Sequence, residues 1–135
     1  MMKKLAAAIF AVVVMVSAAA AYNLDFTILN ETGSRITRIY LSPSWEESFD
    51  PDRHLVTRGR NGSPTTIFDG DSEKITFDNV NSDYKNSAMW DMYIFCADGR
   101  EKMFRRIDLS EVMVVRIDSY LSISKFTALD ILEAL

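Results

Sequence analysis

From Leu24 onward, apolar side chains recur mainly at every second position, in short runs separated by Gly, Pro, Asn, Asp and Ser. A period of two predicts strands with one face inward, and short strands between turn residues predict a sandwich or barrel. Leu24, Phe26 and Ile28 alternate with Asp25 and Thr27, which predicts a first strand with one wet face. Asn30 to Ser34 forms a turn, with Gly33 free to take positive φ. A second strand covers Ile36 to Leu41, and its change of apolar parity between Ile36 and Ile39 predicts a bulge or a late strand start. Thr65 to Phe68 and Glu73 to Asp78 are strand candidates on either side of the turn Asp69-Gly70-Asp71.

Asp98-Gly99 is a hairpin pair of type I′ character between two strong strand patterns. A two-residue loop there sets Tyr93 opposite Phe104, Ile94 opposite Met103, Trp90 opposite Ile107 and Asp91 opposite Arg106. Met89 to Cys96 is apolar on both faces, which predicts a central strand. Val112 to Ile117 gives the next strand, with Leu121 and Ile123 as an extension. The period then changes: Phe126, Leu129, Leu132 and Leu135 recur at helical spacing, and Thr127-x-x-Asp130 resembles a capping box. The expected fold is an all-β antiparallel β-sandwich of about seven strands, with a short C-terminal amphipathic helix packed on it.

The first residues follow a different pattern. Lys3 and Lys4 precede an apolar run from Leu5 to Val16, and small residues follow through Ala21. This is the layout of a cleavable secretory signal peptide, and the apolar run is short for the roughly 20 residues a spanning helix needs. Cleavage is expected between Ala21 and Tyr22, leaving residues 22–135 as a single β-sandwich domain. The expected destination is the periplasm or the medium. Losing Lys3 and Lys4 takes the basic residues from 15 to 13 against 19 acidic ones, a net charge of −6. An acidic surface argues against nucleic acid and, after cleavage, against an anionic membrane as partner.

Composition narrows the chemistry further. There is one Cys and one His, so neither an internal disulfide nor a zinc site of usual composition can be assembled. Cys96 lies in the apolar run Met92 to Cys96 and is expected to be a buried, inert thiol. No G-x-S-x-G, H-E-x-x-H or phosphate-binding glycine loop occurs, and a Cys96–His54 nucleophilic pair would need an exposed, electropositive thiol. The expectation is no catalytic residues and no cofactor. A calcium ion is the one metal that the hard oxygens of Asp50, Asp52, Asp69 and Asp71 would suit.

The stretch Ser42 to Pro64 is the long irregular segment, with all three prolines and many charges. Such segments often carry function, and a short strand or helical turn is expected near His54-Leu55-Val56. Trp45, Glu46, Glu47, Phe49 and Arg53 on this segment are the candidate contact residues for a protein or glycan partner, because an exposed Trp is a common binding anchor.

The motifs Asn30-x-Thr32-Gly33, Tyr40-x-Ser42-Pro43-Ser44, Trp90-Asp91, Asp98-Gly99 and Asp108-Leu109 follow one another in an order that resembles a group of small secreted bacterial β domains of unknown function. The resemblance extends from about Leu24 to Ile117 and implies a fold, not an activity. It also implies a pair of cysteines at two positions that hold Ala88 and Ser110 here. The functional expectation is an exported, noncatalytic binding or accessory module. A small secreted enzyme inhibitor or immunity-type protein, and a hydrolase using a carboxylate pair, are the alternatives.

Overall fold

A computed structural model describes residues 24–46, 55–56, 66–77 and 86–135. The expected signal peptide lies outside the described residues, as do Glu47, Phe49, Asp50, Asp52, Arg53 and His54. The chain forms β1 (Phe26–Asn30), β2 (Ile36–Pro43), β3 (Leu55–Val56), β4 (Ser72–Ile75), β5 (Met89–Cys96), β6 (Glu101–Asp108), β7 (Val112–Ile117), β8 (Ile123–Thr127) and helix α1 (Ala128–Ala134). One sheet has the order β4-β1-β7-β8 and the other β3-β2-β5-β6. The protein is thus an all-β sandwich with a short C-terminal helix. Seven strands have four residues or more, and β3 has two.

Inward side chains from both sheets make the core: Phe26, Ile28, Ile75, Val115 and Ile117 from one, Ile39, Leu41, Trp90, Met92, Ile94 and Ile107 from the other. Phe77, just beyond β4, joins the layers. Its ring lies 5.0 Å from Trp90 and 6.4 Å from Phe26. The Trp90 contact is edge-to-face, the arrangement that ring quadrupoles favour.

Several details differ from the sequence pattern. All pairings are antiparallel except β1 with β7, which is parallel. Side-chain alternation is the same in both kinds of ladder, so periodicity carries no information about direction. The wet face expected for β1 is also missing: Phe26 to Asn30 are all buried, in a strand that is paired on both edges by β4 and β7. The Thr65–Phe68 candidate contributes only an isolated bridge between Ile67 and Ile36. Leu121 and Ile123 do not extend β7; a turn at Asp118 to Ser122 starts the separate strand β8, which runs to Thr127.

The hairpin at Asp98-Gly99 has three loop residues, not two. Cys96 N–H donates to Arg100 O at 2.8 Å, Gly99 N–H donates to Cys96 O at 3.1 Å, and Gly99 takes φ +93°. This is a type I turn followed by a left-handed glycine. Tyr93 therefore faces Met103, and Ile94 faces Lys102, one residue away from the expected register. A bulge between Trp90 and Met92 cancels the shift, so Trp90 faces Ile107 as expected. Of the two readings of the parity change in β2, the structure has the bulge, between Ile36 and Arg38, and the strand starts at Ile36.

The helix has its capping box, with Thr127 and Asp130 bonded reciprocally. Its apolar stripe, however, faces outward. Leu129, Leu132 and Leu135 are exposed, while Ile131 is fully buried. Helical spacing identifies a stripe but not the direction in which it faces.

A groove beside Trp45

The two ends of the sandwich are built differently. At one end three turns are tied together. Asn30 Nδ2 donates to the carbonyls of Ser34 and Ile67, at 2.8 and 2.9 Å, and Asn30 Oδ1 accepts from the N–H and hydroxyl of Thr32. Arg100 donates to Asp98, to Thr32 O and to Ser119 O, so a single guanidinium joins the β1–β2, β5–β6 and β7–β8 turns. Asp69 Oδ1 accepts from Gly33 N–H at 2.9 Å, which adds the turn before β4.

The opposite end, where β2 and β6 finish and β5 begins, carries an open groove of about 400 Å³. Ser44, Trp45, Asn86, Ser87, Ala88, Met89 and Arg106 line it. Trp45 is 59 % exposed, and its indole N–H donates to Ser87 Oγ at 2.5 Å. Glu46 follows in a turn whose N–H donates to Pro43 O.

Behind the groove lies Asp91, only 2 % exposed. Its Oδ1 accepts from Ser44 Oγ at 2.7 Å and from Arg106 N–H at 2.9 Å. Arg105, a mostly exposed side chain, places a guanidinium nitrogen 3.7 Å from Oδ2. The cross-strand pair expected between Asp91 and Arg106 is therefore corrected: the bulge sets both Arg105 and Arg106 against Asp91, so Arg106 contributes its main chain and Arg105 the charge. Arg106 takes φ +56°, a conformation that costs a non-glycine residue roughly 1–2 kcal/mol. The other such residue among those described, Leu121, buries its side chain in the core. Arg106 does not.

Of the sequence candidates, Trp45 lies at the groove, Glu46 sits next to it, and Glu47, Phe49 and Arg53 fall outside the described residues. Among the proposed calcium ligands, Asp69 and Asp71 flank the Gly70 turn, while Asp50 and Asp52 fall outside the described residues. No three His, Cys, Asp or Glu side chains gather in metal-binding proximity among the described residues. Asn86 and Ser87 carried no signal in the sequence, and Met89 and Arg106 carried one only as strand residues, because the start of β5 and the bulge in β6 are what bring them to Trp45. Cys96 is buried, and that burial pushes its thiol pKa up. No described helix is long and apolar enough to cross a membrane.

No protein-family model and no curated protein matches the chain. Among solved structures, the NMR structure of a protein from Eubacterium rectale is similar, at 12 % identity and a TM-score of 0.44, over 82 % of this chain and 95 % of that one.

Proposed function

We propose that the protein is an exported, noncatalytic binding module whose contact surface is the groove end of the sandwich. The observation that carries this reading is Trp45. A large indole is 59 % exposed at the rim of a concave surface, on a scaffold whose opposite end is fastened by Asn30 and Arg100. Exposed aromatic anchors beside a concavity are typical of binding surfaces. Among the described residues the groove is lined by aromatic, hydroxyl, amide and guanidinium groups, which suit the recognition of a ligand.

Export rests on the leader Met1 to Ala21. It is tested by determining the N-terminus of the protein recovered from periplasm and medium, with Tyr22 expected. The binding reading is tested by affinity capture with the domain from Tyr22 onward and its Trp45→Ala variant. Loss of the captured ligand with Trp45→Ala, at unchanged melting temperature, supports the reading. An identical ligand set from both forms rules out Trp45 as the anchor.

A further inference from the structure

We infer that the open edge of β8 is a dimerisation surface, on which a second copy of this chain lays its own β8 antiparallel about a two-fold axis at Ser124. The surface shares no residue with the lining of the groove. It is built from the continuous described stretch 86–135.

Among the described strands each sheet ends in two edges, and three of these are guarded. β3 has two residues, β4 carries Glu73 and Lys74, and β6 carries Glu101, Lys102, Arg105 and Arg106 beside a bulge. Short length, charge and bulges are the usual protection against edge-to-edge pairing. β8 has five residues and one charge, Lys125. Its open side can be read from the ladder. Glu31 N–H donates to Ile117 O at 2.8 Å, so Ile117 turns its main chain toward β1. Ile123 stands opposite Ile117, and Lys125 opposite Val115. By antiparallel alternation both therefore direct N–H and C=O away from β7. Neither has a hydrogen-bond partner on that side among the described residues. The helix does not cover them: Ile131, Val114 and Leu29 are buried apart from the core cluster, which sets α1 against the outer face of the sheet.

A two-fold interface has to match itself. With the axis at Ser124, Ile123 of one copy faces Lys125 of the other, and each uses its outward N–H and C=O. An axis at Lys125 would set like charges directly opposite, which is unfavourable, so Lys125 selects the register. The same axis carries the turn at one end of β8 onto the helix start at the other. Tyr120, 86 % exposed, then meets Ala128 and Leu129 of the second copy, where Leu129 is 63 % exposed. A foreign strand would cover the edge without accounting for that match. Charge does not oppose it locally. Ser119 to Leu129 contain Lys125 and no acidic residue, in a chain that has 19.

The test is sedimentation velocity of the purified protein from about 10 µM to about 1 mM, with amide hydrogen exchange at both concentrations. The expected Kd lies between about 10 µM and 1 mM, since a strand edge is smaller than the roughly 800 Å² per partner of standard complexes. The amides of Ile123 and Lys125 should exchange more slowly at the higher concentration. Those of Ser124 and Phe126, which face β7, should not change. Lys125→Pro removes an outward N–H that an edge strand can spare and should abolish the dimer. Tyr120→Ser and Leu129→Ser should each weaken it at least about tenfold. All three positions are exposed, so each variant should still melt cooperatively. Added salt should tighten the dimer by screening the repulsion between two acidic chains. A protein that stays monomeric at about 1 mM overturns the inference, as does a dimer that survives all three substitutions. If it is monomeric and another protein is captured through the edge in a Lys125→Pro-sensitive way, a foreign strand takes the place assigned to the second copy. None of these outcomes bears on the groove.

Discussion

Asp91 shows how a polar residue in an otherwise apolar strand becomes structural. Its carboxylate accepts from Ser44 Oγ and Arg106 N–H while almost fully removed from solvent. Asp91→Ala leaves both donors unsatisfied and should lower unfolding free energy by about 2–4 kcal/mol, whereas Asp91→Asn, which keeps an acceptor, should cost less. Urea denaturation of both variants measures the difference. Two titrations belong to this scale as well. The Arg100 N–H, and then its guanidinium, hold the Asp98 carboxyl below the usual 3.8. A lowered folded pKa gives stability that is present above 3.8 and lost as pH falls through the folded value. The acid limb of stability against pH should therefore flatten in Asp98→Asn, measured by thermal melts from neutral pH downward. For Cys96 the sign reverses. Burial raises its pKa above 9.0, so that contribution is intact below 9.0 and lost as pH rises through the folded value. Native protein should react with a thiol reagent at neutral pH far more slowly than unfolded protein.

At the scale of elements, α1 tests the difference between a pattern and its placement. Leu129 and Leu132 are part of a helical stripe in the sequence, yet both are exposed, and Ile131 is the buried residue. Leu129→Ser and Leu132→Ser should each change stability by less than about 0.5 kcal/mol, while Ile131→Ala should cost about 2–4 kcal/mol. Thr127→Ala removes the N-cap and should cost about 1 kcal/mol, seen as faster amide exchange in Ala128–Ala134. The β5–β6 hairpin makes the complementary point. Asp98-Gly99 announces a turn, and the turn is there, but the sequence did not distinguish two loop residues from three. The resulting one-residue shift is absorbed by the bulge opposite Asp91. Gly99→Ala should be destabilising by about 1 kcal/mol, entirely through the +93° backbone, because an added Cβ meets nothing within 4 Å.

At the scale of the whole molecule, the order β4-β1-β7-β8 puts the first strand in the interior of its sheet, between strands distant in sequence. A chain starting at Tyr22 should melt like the full-length protein. A chain starting at Glu31 lacks β1, leaves β4 and β7 without their shared neighbour, and should show no cooperative transition by circular dichroism. The polarity of the sandwich is also a property of the whole. Asn30, Asp69 and Arg100, far apart in sequence, fasten one end, and the other end opens as a groove. The sequence by itself determined the class of fold, an irregularity near the start of β2, the central place of β5, the burial of Cys96 and the capping box of α1. Each follows from alternation, apolar runs or side-chain chemistry within a few residues. Tertiary structure alone decided the parallel β1–β7 pairing, the outward face of α1 and the groove that joins Trp45 to Arg106. Those depend on which strand lies beside which and on single-residue offsets between them, and a period of two is unchanged by either.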